Sequence, residues 1–252
     1  MKKVLLLLVL LSAAVVVNAQ KIDTILRTLD EIMEMKSDVR AKVSLTQQKA
    51  EQGTKLIEMM YYRRDSDDSF LIVMLAPEAD KGNGYLRVGD NFWMYRRNTR
   101  TFQHINRDES IGGTDAKGDD FENRKMVDMY EAAKDASGKE IITEEMLGKI
   151  PVYKFEIKAK VNDVDYPKKI YWVRKDNSLP LKEQSFSASG TLMQTAFYPK
   201  YTTVDGRFVA IQQIFVDEFE KGNKTIVEIS GISTAKLDDA IFTKPYLENL
   251  SK

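Results

Sequence analysis

Apolar residues recur along this chain with three successive patterns. The first is nearly continuous: after Lys2 and Lys3, the run VLLLLVLLSAAVVV is apolar but for Ser12 and leads into Val17-Asn18-Ala19. A charged start, a short apolar core and a small residue at the end predict a secretory signal peptide over residues 1–19, cleaved after Ala19; the run is too short and wrongly flanked for a membrane span. The second pattern has helical spacing. Ile22, Ile25, Leu26, Leu29, Ile32 and Met33 recur against Asp23, Arg27, Asp30, Glu31 and Glu34, which predicts one amphipathic helix over residues 22–35. The third has a period of two: Val39, Ala41, Val43 and Leu45 alternate with Arg40, Lys42, Ser44 and Thr46, as in a strand with one face buried.

That alternation continues. TKLIEMMYYR after Gly53 reads as the hairpin partner, FLIVMLA is apolar on both faces and so predicts a strand covered on both sides, and YLRVGDNFWMYRRNTRTFQHI gives two or three short strands joined by turns. Residues 106–138 interrupt the pattern with a polar, glycine-rich stretch and then Met126, Val127 and Tyr130 at helical spacing. Strands are expected again near 140–147, 151–160, 168–175, 181–187, 191–198, 207–219 and 223–233, followed by a short helix or turn docked by Ile241, Phe242, Tyr246 and Leu247. Around ten antiparallel strands in meander order predict a single curved sheet over residues 20–252, with helices covering its concave face. Two separate sandwiches are the alternative, but no proline- or serine-rich joint divides the chain.

Composition changes the picture in two ways. The chain has no cysteine, which excludes disulfides, thiolate metal sites and a lipid anchor on an N-terminal cysteine. The expected mature protein is therefore exported, soluble and unanchored. Removing Lys2 and Lys3 from 38 basic residues leaves 36 against 38 acidic, a net charge of −2, which supplies no long-range attraction for nucleic acid or an anionic surface.

Candidate chemistry is sparse. His104 is the one histidine and has no recognisable catalytic partner. Asp108-Glu109 and Asp119-Asp120 lie in polar loops without calcium-loop spacing, so solvated charge is the expected role. KGNGYL lacks the strand–loop–helix context of a phosphate site. No catalytic residue, metal site or cofactor is expected, and the protein reads as a non-enzyme. FWMYRRNTRTF could suggest single-stranded nucleic acid, but an exported chain makes a poor nucleic-acid partner. The remaining peculiarity is apolar: Met33, Met35, Met59, Met60, Met74 and Met94 are among ten methionines after the initiator, a residue over-used on adaptable apolar surfaces.

Three stretches together carry a family resemblance. LAPEADKGNGYLRVGDNFWMYRRNTRTFQHI with GGTDAKGDDF, then YPKKIYWVRKDNSLPLKEQSFSASGTLMQTAFY, then VDGRFVAIQQIFVDEFEKGNKTIVEIS with LDDAIFTKPYLENL, resemble the outer-membrane lipoprotein-sorting proteins of the LolA-like superfamily in sequence and order. The resemblance implies an incomplete antiparallel β-barrel of about eleven strands, covered by the N-terminal helix and short helical inserts, with an apolar interior that accepts acyl chains. It implies a periplasmic carrier of lipoproteins or related lipids, with a possible inner-membrane transporter and outer-membrane acceptor as partners. The alternative on the same fold is a periplasmic sensor or accessory protein that binds a protein or serves a hydrophobe transporter. The expected cavity lining is Val43, Leu45, Ile57, Met59, Ile72, Met74, Trp93, Tyr95 and Trp172. The family places Trp93 and Tyr95 inward, although the alternation of residues 92–95 allows either face. Arg63 or Arg64 stands where relatives hold a lid closed; a solvated pair flanking a turn is the other reading.

Overall fold

The computed structural model describes residues 22–106, 109, 111–112 and 124–251. The segment read as a signal peptide lies outside the described residues, as do Asp108, Asp119 and Asp120. A single helix, α1 (Ile22–Met33), precedes six strands: β1 (Val39–Lys49), β2 (Gly53–Arg64), β3 (Ser69–Ala76), β4 (Gly84–Val88), β5 (Asn91–Arg96) and β6 (Thr101–His104). A short helix α2 (Met126–Met129) leads into β7 (Tyr130–Ala132), β8 (Ile142–Leu147), β9 (Ile150–Ala159), β10 (Lys168–Arg174), β11 (Pro180–Phe186), β12 (Leu192–Val204), β13 (Arg207–Asp217) and β14 (Lys224–Ser233). A 3₁₀ turn (Asp239–Phe242) and helix α3 (Lys244–Leu250) close the described chain.

All fourteen strands form one antiparallel sheet in the order β6-β5-β4-β3-β2-β1-β14-β13-β12-β11-β10-β9-β7, with β8 also paired to β9. Its two edge strands, β6 and β7, do not meet, so the barrel is open. Both halves are meanders, and β1 joins them by pairing with β2 on one side and β14 on the other. Helix α1 touches β13 and also β7, five strand spacings away. On a flat sheet that span would be about 24 Å, against a helix about 18 Å long. The sheet therefore curls around α1, and the face that meets it is the inner one.

The strand count exceeds the expected eleven, and β7 is the strand that was not expected. Residues expected to be helical past Met126 give only one turn, because Tyr130–Ala132 pairs with Ala159, Lys158 and Ile157 of β9 instead. A ladder of backbone hydrogen bonds on an otherwise open edge outweighs weak helical spacing. The Asp30 carboxylate of α1 caps the single turn that remains, accepting from the backbone N–H of Met126 at 2.5 Å and of Val127 at 3.1 Å. Residues expected as one strand near 140–147 form β8, a hairpin partner of β9, which β9 accepts beside β7.

The helices are also arranged differently from the expectation. Only α1 and α2 cover the inner face; α3 and the 3₁₀ turn dock on the outer face, where Phe242 and Leu247 pack with Tyr62, Leu71, Val73, Leu86 and Tyr95. Glycine makes that seat possible. A Cβ on Gly84 would lie 2.5 Å from Leu247 Cδ1 and 2.7 Å from the Ile72 carbonyl oxygen. Within α1, Ile22, Ile25, Leu26 and Leu29 are buried, each stabilising the docked helix by about 1.5–3 kcal/mol, whereas Met33 is 63% exposed.

Candidate functional site: an apolar trough on the inner face

Strand alternation carried through the register sorts every candidate residue to one face. Val43 pairs with Met59 and Ile229, Leu45 with Ile57 and Val227, Ile72 with Tyr61 and Tyr85, and Met59 with Met74. Six of the expected lining residues, Val43, Leu45, Ile57, Met59, Ile72 and Met74, thus share the inner face and one packed cluster with Phe70, Tyr85 and Phe92. The other three do not join them. Trp93 pairs with Leu86 and His104, and Tyr95 with Gly84 and Phe102. Both stand on the outer face under α3, with the Lys244 ammonium 4.2 Å from the Trp93 ring centre. Trp172 is also outward: its indole N–H donates to Glu145 at 2.5 Å, and Lys182 and Lys154 lie over its ring. The inward expectation for Trp93 and Tyr95 is therefore corrected; Phe92 and Met94 take that side.

The inner face has three parts. At the end formed by β1–β5, side chains fill the space. Ile105 and Ile111 close over the cluster, and the Gly112 N–H donates to the Tyr85 hydroxyl at 2.8 Å, fixing the covering segment. At the other end α1 lies on Tyr130, Phe155, Ile157, Tyr171 and Val173. Between them, across β1, β14 and β13, Val43, Val227, Ile229, Ile211 and Phe215 are only half-buried. This band, which also holds Gln213 opposite Val227 and Thr225 opposite Phe215, is a mainly apolar trough between a filled core and a docked helix.

A polar cluster borders the trough on its β10–β12 side. Glu183 pairs across the sheet with Tyr171 and with Ala196, which in turn pairs with Phe215. The Glu183 carboxylate accepts from Lys169 Nζ at 2.7 Å, Ser185 Oγ at 3.1 Å and Tyr198 Oη at 3.2 Å. The Lys169 ammonium lies 5.6 Å and 5.9 Å from the ring centres of Tyr130 and Tyr166. Burial alone would raise the Glu183 carboxyl, but Lys169 and the hydrogen bonds outweigh it and hold it below its ordinary range. Burial would likewise lower Lys169; the Glu183 charge reverses that and raises it. Burial beside the same carboxylate pushes the Tyr171 and Tyr198 hydroxyls well above their usual range. Both members of the pair stay charged at neutral pH.

Helix α1 is fastened at several points along its length. The Ile22 N–H donates to Glu140 at 3.0 Å, and Arg207 donates to the carbonyls of Glu31 at 2.6 Å and Glu34 at 2.7 Å, satisfying the helix C-terminus. The two arginines expected at a lid serve different segments. Arg63 pairs with Asp65, whose carboxylate also accepts from the Met35 N–H just beyond α1 at 3.1 Å. Arg64 pairs with Asp67 and Asp239 and lies over the Phe242 ring, holding the C-terminal segment on the outer face. Beside Arg64, a depression of about 600 Å³ is lined by charged and hydroxyl groups, among them Lys36, Asp38 and Lys236.

His104 is exposed, its ring edge-on to Trp93 at 6.0 Å. Among the described residues no three His, Cys, Asp or Glu side chains converge as metal ligands, and no helix is long and apolar enough to cross a membrane.

Comparison with known proteins fits this architecture. A LolA superfamily protein from Nitrosomonas europaea superimposes with a TM-score of 0.71 at 20% identity, over 90% of this chain and 100% of its own. A DUF1329 family protein from Desulfovibrio piger gives 0.75 at 21% identity, over 89% and 97%. A domain from Vibrio parahaemolyticus, provisionally described as an outer membrane lipoprotein-sorting protein, gives 0.71 at 18% identity, over 88% and 97%. No curated protein matches the sequence. A family model described only as an uncharacterized protein matches residues 66–249, more than half of the chain. The protein belongs to that family, and its fold is shared with these solved structures.

Proposed function

We propose that this protein is a periplasmic carrier that holds acyl chains of lipoproteins or related lipids in its inner trough and moves them toward the outer membrane, without catalysing a reaction. The observation that carries the reading is the band of Val43, Val227, Ile229, Ile211 and Phe215, only half-buried and, among the described residues, lying between two closed ends of the same face. Each buried methylene contributes about 0.8 kcal/mol, so a chain of a dozen or more carbons gains roughly 10 kcal/mol before ordering costs. The sequence supports export, and α1, docked by a few hydrogen bonds and one apolar stripe, is suited to act as the movable cover. The transporter and acceptor partners belong to the same proposal.

One observation favours the accessory-protein alternative. On the outer face, Leu56, Thr46, Ile226, Ile214 and Phe197 align in one cross-strand row, and Leu56 and Phe197 are 50% and 37% exposed. Binding of a fluorescent acyl probe to the purified protein separates the readings. Phe215→Glu is expected to weaken probe binding at least about tenfold, or 1.4 kcal/mol, while Trp93→Ala, on the outer face, leaves it unchanged. Absence of probe binding by the wild type, with a stoichiometric protein partner lost on Phe197→Glu, would favour the alternative.

A further inference from the structure

The polar cluster beside the trough has no place in a surface that only has to be apolar. Lys169, Glu183, Ser185, Tyr171 and Tyr198 all point to the inner face, on strands where large apolar side chains would seat α1 as well. Placing a charged pair there carries a desolvation cost that well-packed apolar residues would avoid. Tyr198 is half-buried and lies on the same strand and face as Ala196, the cross-strand partner of the trough residue Phe215. A chain lying in the trough from β1 toward β13 therefore meets this cluster at one end and the filled core at the other.

Resting on the carrier reading, we infer that the trough takes an acyl chain joined through a neutral hydrogen-bonding linkage, an ester or an amide, and that the Lys169–Glu183 cluster selects this class over free carboxylates. The cluster holds one charge of each sign, already matched. A carboxylate head would bring a third charge into a region screened from water by α1, where the Lys169 charge is already matched by Glu183. The Glu183 oxygens already accept from three donors. A carbonyl oxygen needs a donor, and an ammonium supplies three protons, of which Glu183 engages one, while the Tyr130 and Tyr166 rings face the others. An ester or amide carbonyl matches that site without adding charge. The head of the ligand then lies at β10–β12 and its chain runs toward Val43.

The test compares palmitoyl monoacylglycerol with palmitic acid on the full chain at about pH 8, where the acid is ionised. The wild type is expected to bind the ester at least about tenfold more tightly. Glu183→Gln leaves the ammonium unmatched and should erase or reverse that preference. Should this variant fold poorly, Lys169→Met combined with Glu183→Leu removes both charges at similar volume, and it should bind the two ligands about equally. Equal affinities in the wild type, or a preference unchanged in the folded variants, would overturn the inference while leaving the carrier reading intact. Binding of neither ligand by the wild type would overturn both.

Discussion

The two ends of the inner face are closed by different kinds of matter. Over β1–β5 the closure is intrinsic: Phe70, Ile72, Met74, Tyr85 and Phe92 interlock with residues of the neighbouring strands, and Phe70 meets Phe92 edge-on at 5.5 Å. Over β9–β13 the closure is a separate element, helix α1, seated on Phe155, Ile157, Tyr171 and Val173 beside a buried ion pair. A core of interdigitated side chains loses its packing when it opens, because each ring has partners on several strands. A docked helix can leave as a unit, exposing one stripe and breaking a few hydrogen bonds. The same sheet thus has a fixed end and an openable end, with the trough between them.

The largest predicted effect tests the fixed end. Phe70→Ala should cost about 3–5 kcal/mol of stability in urea unfolding, yet the molecules that remain folded should bind an acyl probe with wild-type affinity. If Phe70→Ala abolished binding in folded protein, that end would be part of the site. An intermediate effect belongs to the ion pair. The Glu183 carboxyl is depressed from its ordinary value of 4.5, so its contribution is fully present above that value and is lost as pH falls through the depressed one. The wild type should lose stability on acidification over that window more steeply than the variant carrying Lys169→Met and Glu183→Leu. Equal slopes would mean that the pair does not couple to folding. The smallest effect is at the openable end. Arg207→Ala removes both bonds to the α1 C-terminus and should cost roughly 1 kcal/mol. Hydrogen exchange should quicken in the α1 amides while the β2–β4 amides stay protected; equal acceleration at both ends would erase the distinction between them.

Much of this organisation was legible in the sequence, and the misses have physical causes. The clean alternation of β1 placed Val43 and Leu45 on one face, and the hairpin to β2 carried Ile57 and Met59 with them. Alternation could not orient β5, because Phe92 and Met94 are covered by the inner cluster while Trp93 and Tyr95 are covered by α3. A strand apolar on both sides has no sequence signal for its direction, and Trp172 on β10 fails for the same reason. Nothing in the sequence singles out Lys169 and Glu183. Their parity with Tyr171 and Ser185 puts them on one face with those residues, but only the seating of α1 shows that this face is closed to water. The single turn of α2 and three-residue β7 are shorter than any window in which periodicity can be counted. The trough residues on β13 and β14 went unnoticed because their strands alternate between two half-apolar faces.

The seam between β1 and β14 bears on when the protein can fold. Val43 and Ile229 are neighbours across it although 186 positions separate them in the chain. Neither half of the sheet can acquire its central neighbour until nearly the whole polypeptide is available, and such distant pairings form slowly. The trough crosses this seam, so its floor is assembled last. A chain threaded through a membrane from its N-terminus would emerge without a finished apolar surface, and would complete one only after its last strand had crossed. Topology alone would then keep the trough from forming on the side of the membrane from which such a chain was threaded.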